Sequence, residues 1–143
     1  MCFLLVSINC ETKFQTEYLG HCVRHILSLY SASANPHSSV VLIGHSLGGV
    51  VAKALLARPD FAAQSVRVLI TLATPHEPVL VLDSETRAFY DGVDSAWNAS
   101  RTLTVSKKGK KTKKRPLDHV TFVSIGGGER DIQVRKLRVF CNC

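Results

Sequence analysis

The sequence has no stretch long and apolar enough to cross a membrane, because its longest hydrophobic run, Val40 to Ala57, is broken by His45, Ser46 and Lys53. Its five cysteines, Cys2, Cys10, Cys22, Cys141 and Cys143, are odd in number, with no Cys-x-x-Cys and no paired histidine spacing. That pattern supplies neither a disulfide framework nor a zinc site. Met1 to Ile8 is apolar but lacks the basic residues and small-residue cleavage site of a secretory leader. Acidic residues are few, at eleven Asp and Glu against eighteen Lys and Arg, for a net charge of +7. Seven of the cations lie between Lys107 and Arg115, so the remaining eleven match the acids and the rest of the chain is neutral. The run has no interleaved aromatics, which argues against a nucleic-acid partner; like charges at that density read as a solvated insert spanning 106–116. No motif calls for a cofactor or a metal.

What is present suffices for one core. At 143 residues and 45% hydrophobic the chain makes a single domain, and it is short for an α/β domain in which each parallel strand carries its own crossover helix. The spacing predicts a helix from Thr12, with Phe14, Tyr18, Cys22, Ile26 and Tyr30 every fourth residue as the core stripe and Leu19, Val23 and Leu27 beside it. His21 and His25 on that helix read as structural or solvated. A loop over 31–39 follows, then Val40-Val41-Leu42-Ile43, a short β-branched run that reads as a buried strand.

Gly44-His45-Ser46-Leu47-Gly48 comes next with no gap, and a small-residue apolar helix from Leu47 to Arg58 ends at Pro59. Strand, Gly-x-Ser-x-Gly and helix in that order form a nucleophile elbow, in which Gly44 and Gly48 lack side chains so that strand and helix pass closely. Ser46 is lifted toward solvent as the nucleophile, and the Leu47 N–H becomes the first oxyanion donor at a helix N-terminus.

Val66 to Leu72 is the second buried strand and completes a βαβ unit. Its loop, Ala73-Thr74-Pro75-His76-Glu77-Pro78, lies at the carboxyl edge where open α/β sheets bind ligands, so His76 lines the site, as does His45 within the elbow. A helix is expected from Glu85 to Asn98, capped by Asp83 or Ser84, with Phe89, Val93 and Trp97 inward. Val120 to Ile125 is the third strand.

Hydrolases of this architecture take their triad in the order serine, acid, histidine. Asp131 follows the third strand and a triple glycine and is the candidate acid, ahead of Asp83, Asp91, Asp94, Asp118 and Glu129. The six histidines, His21, His25, His37, His45, His76 and His119, all precede Asp131, so none stands where the base belongs. A glycine-rich loop that would donate the second oxyanion N–H is also missing before Ser46.

Four segments together, Val41 to Ala52, Leu69 to His76, Phe89-Tyr90 to Trp97, and Thr121 to Arg135 with Gly-Gly-x-x-Asp-x-x-Val-Arg, resemble the GPI inositol-deacylases over about residues 12 to 135. The resemblance implies a partial α/β-hydrolase fold in residues 11–140, with a divergent segment at 1–10 and a tail at 141–143. It also implies an endoplasmic-reticulum membrane enzyme that hydrolyses the acyl ester on the inositol of GPI anchors, acting on a GPI-anchored protein or lipid ester. Ser46 carries over as nucleophile and Asp131 as acid, and the family's histidine falls beyond Cys143, so this chain is expected to be an incomplete copy. Asn98-Ala99-Ser100, an N-glycosylation acceptor, fits a lumenal location. The alternative is a non-catalytic fragment that binds lipid or protein at the sheet edge.

Overall fold

The computed structural model describes residues 12–77, 84–101 and 117–126. The divergent start, the basic insert, the tail and the segment carrying Asp131 lie outside the described residues. In chain order the elements are α1 (Thr12–Leu29), β1 (Val40–His45), α2 (Leu47–Ala57), β2 (Val66–Leu72), α3 (Ser84–Arg101) and β3 (Thr121–Ile125), with a short 3-10 turn at Ala63–Ser65 before β2. The strands form one parallel sheet in the order β1-β2-β3. Parallel neighbours need crossovers, which α2 and α3 supply. His45, Leu72 and Ile125 are opposite one another, so the three strands end together at one carboxyl edge.

The helix α2 is apolar nearly all round because it lies between α1 and α3 over the sheet. Its Val51, Leu55 and Leu56 join Leu19 and Val23 of α1, Leu42 of β1, Val66 and Leu69 of β2 and Trp97 of α3 in the main core. Each such side chain contributes about 1.5–3 kcal/mol by leaving water. Arg58, whose backbone turns extended and ends α2, forms a fork on Asp60 at 2.6 and 2.8 Å and reaches Glu17 of α1 at 3.5 Å.

The strand and helix order agrees with the sequence expectation, and β1 extends two residues further, through His45. The core face of α1 does not agree. Phe14 and Tyr18 are 62% and 64% exposed, Tyr30 is exposed as well, and the buried residues are Gln15, Thr16, Leu19, Gly20 and Val23. A four-residue step drifts by about 40° per repeat, so five such positions sweep nearly half the helix and cannot share one face. Close approach to α2 selects the face: a Cβ on Gly20 would lie 3.1 Å from Leu55 Cδ1. On α3 the inward residues are Tyr90, Val93 and Trp97, with Phe89 packed at their margin; Ser84 begins the helix.

Candidate active site

Ser46 occupies the corner between β1 and α2 with φ 52° and ψ −130°, a conformation that L-residues rarely adopt. Such strain costs on the order of 1–3 kcal/mol and persists only where surrounding contacts impose it. Here the Ser46 N–H donates to Leu72 O at 3.0 Å, tying the corner to the end of β2. Lack of side chains lets the corner close, since a Cβ on Gly44 would lie 2.6 Å from both Cα and N of Gly49 and 2.8 Å from the carbonyl carbon of Gly48. Crowding extends to Gly49, whose Cβ would lie 2.7 Å from Cγ2 of Thr74.

The Ser46 side chain is exposed and makes no capping hydrogen bond, so its hydroxyl is not spent on the helix it precedes. No acidic residue sits in the first turn of α2 to offset the positive end of its dipole. Leu47 is the first residue of α2, where the N–H has no partner within the helix. The corner therefore presents a free hydroxyl beside a backbone donor, as attack on a carbonyl with stabilisation of the resulting oxyanion requires.

A second strained corner stands beside it. Ala73, just past β2, has φ 43° and donates its N–H to Ile125 O at 2.8 Å. Thr74 is buried against Gly49. The chain then brings His76 back over the sheet, with Nε2 3.0 Å from Thr71 Oγ1 on β2 and 3.2 Å from Ser124 Oγ on β3. Its ring meets Phe122 edge-on at 5.6 Å, and its Nδ1 is buried without a hydrogen-bond partner among the described residues.

Burial foremost, and then the positive charge of Lys53, hold the His76 pKa down to about 4, with Asp94 opposing. The unfolded chain protonates this group near 6.5, so its contribution is complete above that pH and is lost as pH falls toward 4. Full linkage corresponds to about 3 kcal/mol, and partial solvent access reduces it to ~1–2 kcal/mol. Urea midpoints at pH 7 and pH 4.5 should show that loss, and His76→Gln should flatten the slope.

Behind the loop, Lys53 of α2 donates to Asp94 Oδ1 of α3 at 2.8 Å, and its ammonium lies 5.5 Å from the Trp97 ring centroid. This pair joins the elbow helix to α3.

The sequence-predicted residues are distributed as follows. Ser46 stands on the elbow, with Leu47 beginning α2. His45 is exposed at the end of β1, and His76 is turned inward. Asp131, Asp83 and Glu129 lie outside the described residues. Among the weaker acids, Asp94 is engaged by Lys53, while Asp91 and Asp118 are exposed. His119 precedes β3, and its Nε2 donates to Ala63 O at 2.9 Å; His37 meets Tyr30 edge-on. Sequence reasoning missed Ala73, Thr71 and Ser124. It registered Lys53 merely as a break in an apolar run, though a lysine in the middle of such a helix signals a buried partner.

A parallel sheet with a strained serine between strand and helix at its carboxyl edge defines a partial α/β-hydrolase fold with a nucleophile elbow. Residues 9–140 match the family model of the PGAP1-like alpha/beta domain, and the chain belongs to that family. It is similar to the GPI inositol-deacylase of Rattus norvegicus, at 38% identity over 124 residues, covering 85% of this chain and 12% of the relative. The Phaeosphaeria nodorum protein of that name is 36% identical over 126 residues, covering 82% and 11%. For the one in Drosophila melanogaster the figures are 35% over 140 residues, 85% and 14%. The chain thus spans about one-eighth of the length of these relatives.

Proposed function

We propose that this domain belongs to a carboxylic ester hydrolase that removes the acyl chain from the inositol of GPI anchors at the endoplasmic-reticulum membrane, with Ser46 as the nucleophile. The observation that carries this reading is the exposed, uncapped Ser46 hydroxyl on a corner with φ 52° at the mouth of α2, in a chain whose relatives are named GPI inositol-deacylases. Ser46 Oγ attacks the ester carbonyl while the base takes its proton, the Leu47 N–H holds the oxyanion, and the inositol oxygen leaves with that proton; water then cleaves the acyl-serine, releasing the fatty acid and restoring the Ser46 hydroxyl. Asp131 orients the base. That base is a histidine from beyond Cys143, following the chain order serine, acid, histidine. Exposed His45 flanks the approach to Ser46.

His76 does not fill the role of base. Its ring is occupied by Thr71 and Ser124, and its pKa of about 4 is far from the value near 7 that suits a general base. This favours a second reading for the chain by itself: a domain that holds lipid or protein at the sheet edge without turnover. Without its base, a serine hydrolase keeps a residual acceleration of only ~10³–10⁴-fold over water.

A fluorophosphonate probe tests the first reading. The chain is expected to label slowly, over hours, and labelling should vanish in Ser46→Ala. A signal that survives the substitution overturns Ser46 as nucleophile. Absence of labelling in chain shown to be folded leaves the binding reading.

A further inference from the structure

We infer that His76 is a positioning residue for Ser46: held as the Nε2–H tautomer between Thr71 on β2 and Ser124 on β3, its imidazole pins the loop after β2 and so fixes the corner on which Ser46 stands. The Ser46 part of this inference rests on the reading of that residue as nucleophile; the clasp itself does not.

The tautomer follows from counting protons. Nδ1 is buried with no hydrogen-bond partner among the described residues, whereas Nε2 lies 3.0 Å from Thr71 Oγ1, which accepts from it and directs its own proton to Val123 O at 3.4 Å. Nε2 therefore carries the hydrogen, and Nδ1 faces the interior with a lone pair. The other tautomer would bury an N–H without an acceptor among the described residues. Ser124, whose Oγ lies 3.2 Å from Nε2, joins the same nitrogen from the neighbouring strand.

The link to Ser46 runs through the backbone. Between Thr71 and His76 the chain reverses at Ala73, with φ 43°, and strain of this kind needs contacts to maintain it. Among those contacts are the Ala73 N–H to Ile125 O, Thr74 Oγ1 to Leu72 O at 3.5 Å, and the His76 clasp. The same short stretch carries Leu72, whose carbonyl accepts the Ser46 N–H, and Thr74, which packs on Gly49 inside the elbow. Loosening the far end of the loop releases both supports of the serine corner. A loop histidine that binds inward to two strands sets the geometry of the edge.

The test uses the full 143-residue chain with ¹⁵N-labelled histidine. The wild type is expected to show Nε2 protonated and Nδ1 bare, with no titration of that ring between about pH 5.5 and 8. In His76→Leu, hydrogen exchange at the Ser46 and Ala73 amides should accelerate about tenfold or more while Val23 in α1 is unchanged. His76→Gln places a side-chain N–H where Nε2 stood and should restore exchange to within about threefold of wild type. A protonated Nδ1, unchanged exchange in His76→Leu, or a glutamine variant as fast as the leucine variant would overturn the inference. If His76→Leu does not fold, the wild-type tautomer and the glutamine variant decide. Neither readout uses the reactivity of Ser46, so a chain that never takes the fluorophosphonate leaves this result intact.

Discussion

Gly44→Ala should destabilise the chain by about 3 kcal/mol, read as a shift of the urea midpoint, while Gly92→Ala should stabilise it by ~0.5–1 kcal/mol. The chemical change is one methyl group in both cases. At Gly44 that methyl would lie 2.6 Å from two backbone atoms of Gly49, and backbone at the start of a buried helix has no rotamer through which to yield. Relief requires α2 to move off β1, which breaks the packing of Val51, Leu55 and Leu56 and lets Ser46 leave its strained φ. At Gly92, in the interior of α3, nothing lies within 4 Å of the added carbon, so the loss of unfolded-chain entropy dominates and the sign reverses. Fluorophosphonate labelling of Ser46 should fall with Gly44→Ala and be unaffected by Gly92→Ala. Equal midpoints for the two variants would show that the elbow has no tight approach.

The elbow was legible because all its parts are contiguous. A β-branched run, two glycines about a serine and a small-residue helix specify strand, corner and helix without help from elsewhere, and Ser46 follows from them. Gly49 was not legible as a crowded position because the residue it meets, Thr74, is reached only after the chain has crossed and returned through β2. The same holds for the clasp: nothing local in Thr71, His76 or Ser124 distinguishes an inward imidazole from one lining a rim, and the parallel register of β2 with β3 sets Thr71 beside Ser124. On α1 the periodicity gave the helix but the wrong face. Phe14 and Tyr18 are larger and more apolar than Gln15 and Thr16, yet the contact of Gly20 with Leu55 decides which side turns in. Size and hydrophobicity predict that a residue gains from burial, whereas the shape of the neighbouring helix decides whether it is buried.

Asp94→Ala should cost about 3 kcal/mol and Lys53→Met about 1 kcal/mol or less, although they break the same ion pair at 2.8 Å. The asymmetry comes from solvent access. The Lys53 side chain is 6% exposed and the Asp94 side chain 37%, so removing the carboxylate strands an ammonium in the interior, whereas removing the ammonium leaves a carboxylate that water reaches. Trp97, 5.5 Å from the ammonium, limits the first loss by supplying ~1 kcal/mol of cation–π attraction. Methionine keeps the unbranched stem and packs on the same ring, which holds the second loss down. The two variants should also move the acid response of His76 in opposite directions. Lys53 pushes the His76 pKa down and Asp94 pushes it up, so Lys53→Met should raise the pH at which the acid loss levels off and make that loss smaller, while Asp94→Ala should lower that pH and make the loss larger; its onset, near pH 6.5, stays the same in both. Urea midpoints of both variants across pH 7 to 4 measure the size of each loss and the direction of each shift together. Equal losses at pH 7 would mean that the ammonium finds water as readily as the carboxylate does. A common direction of shift would mean that the pair acts on His76 through packing, with α3 moving away from the loop, and its charges would then have no separate influence on the ring that clasps β2 to β3.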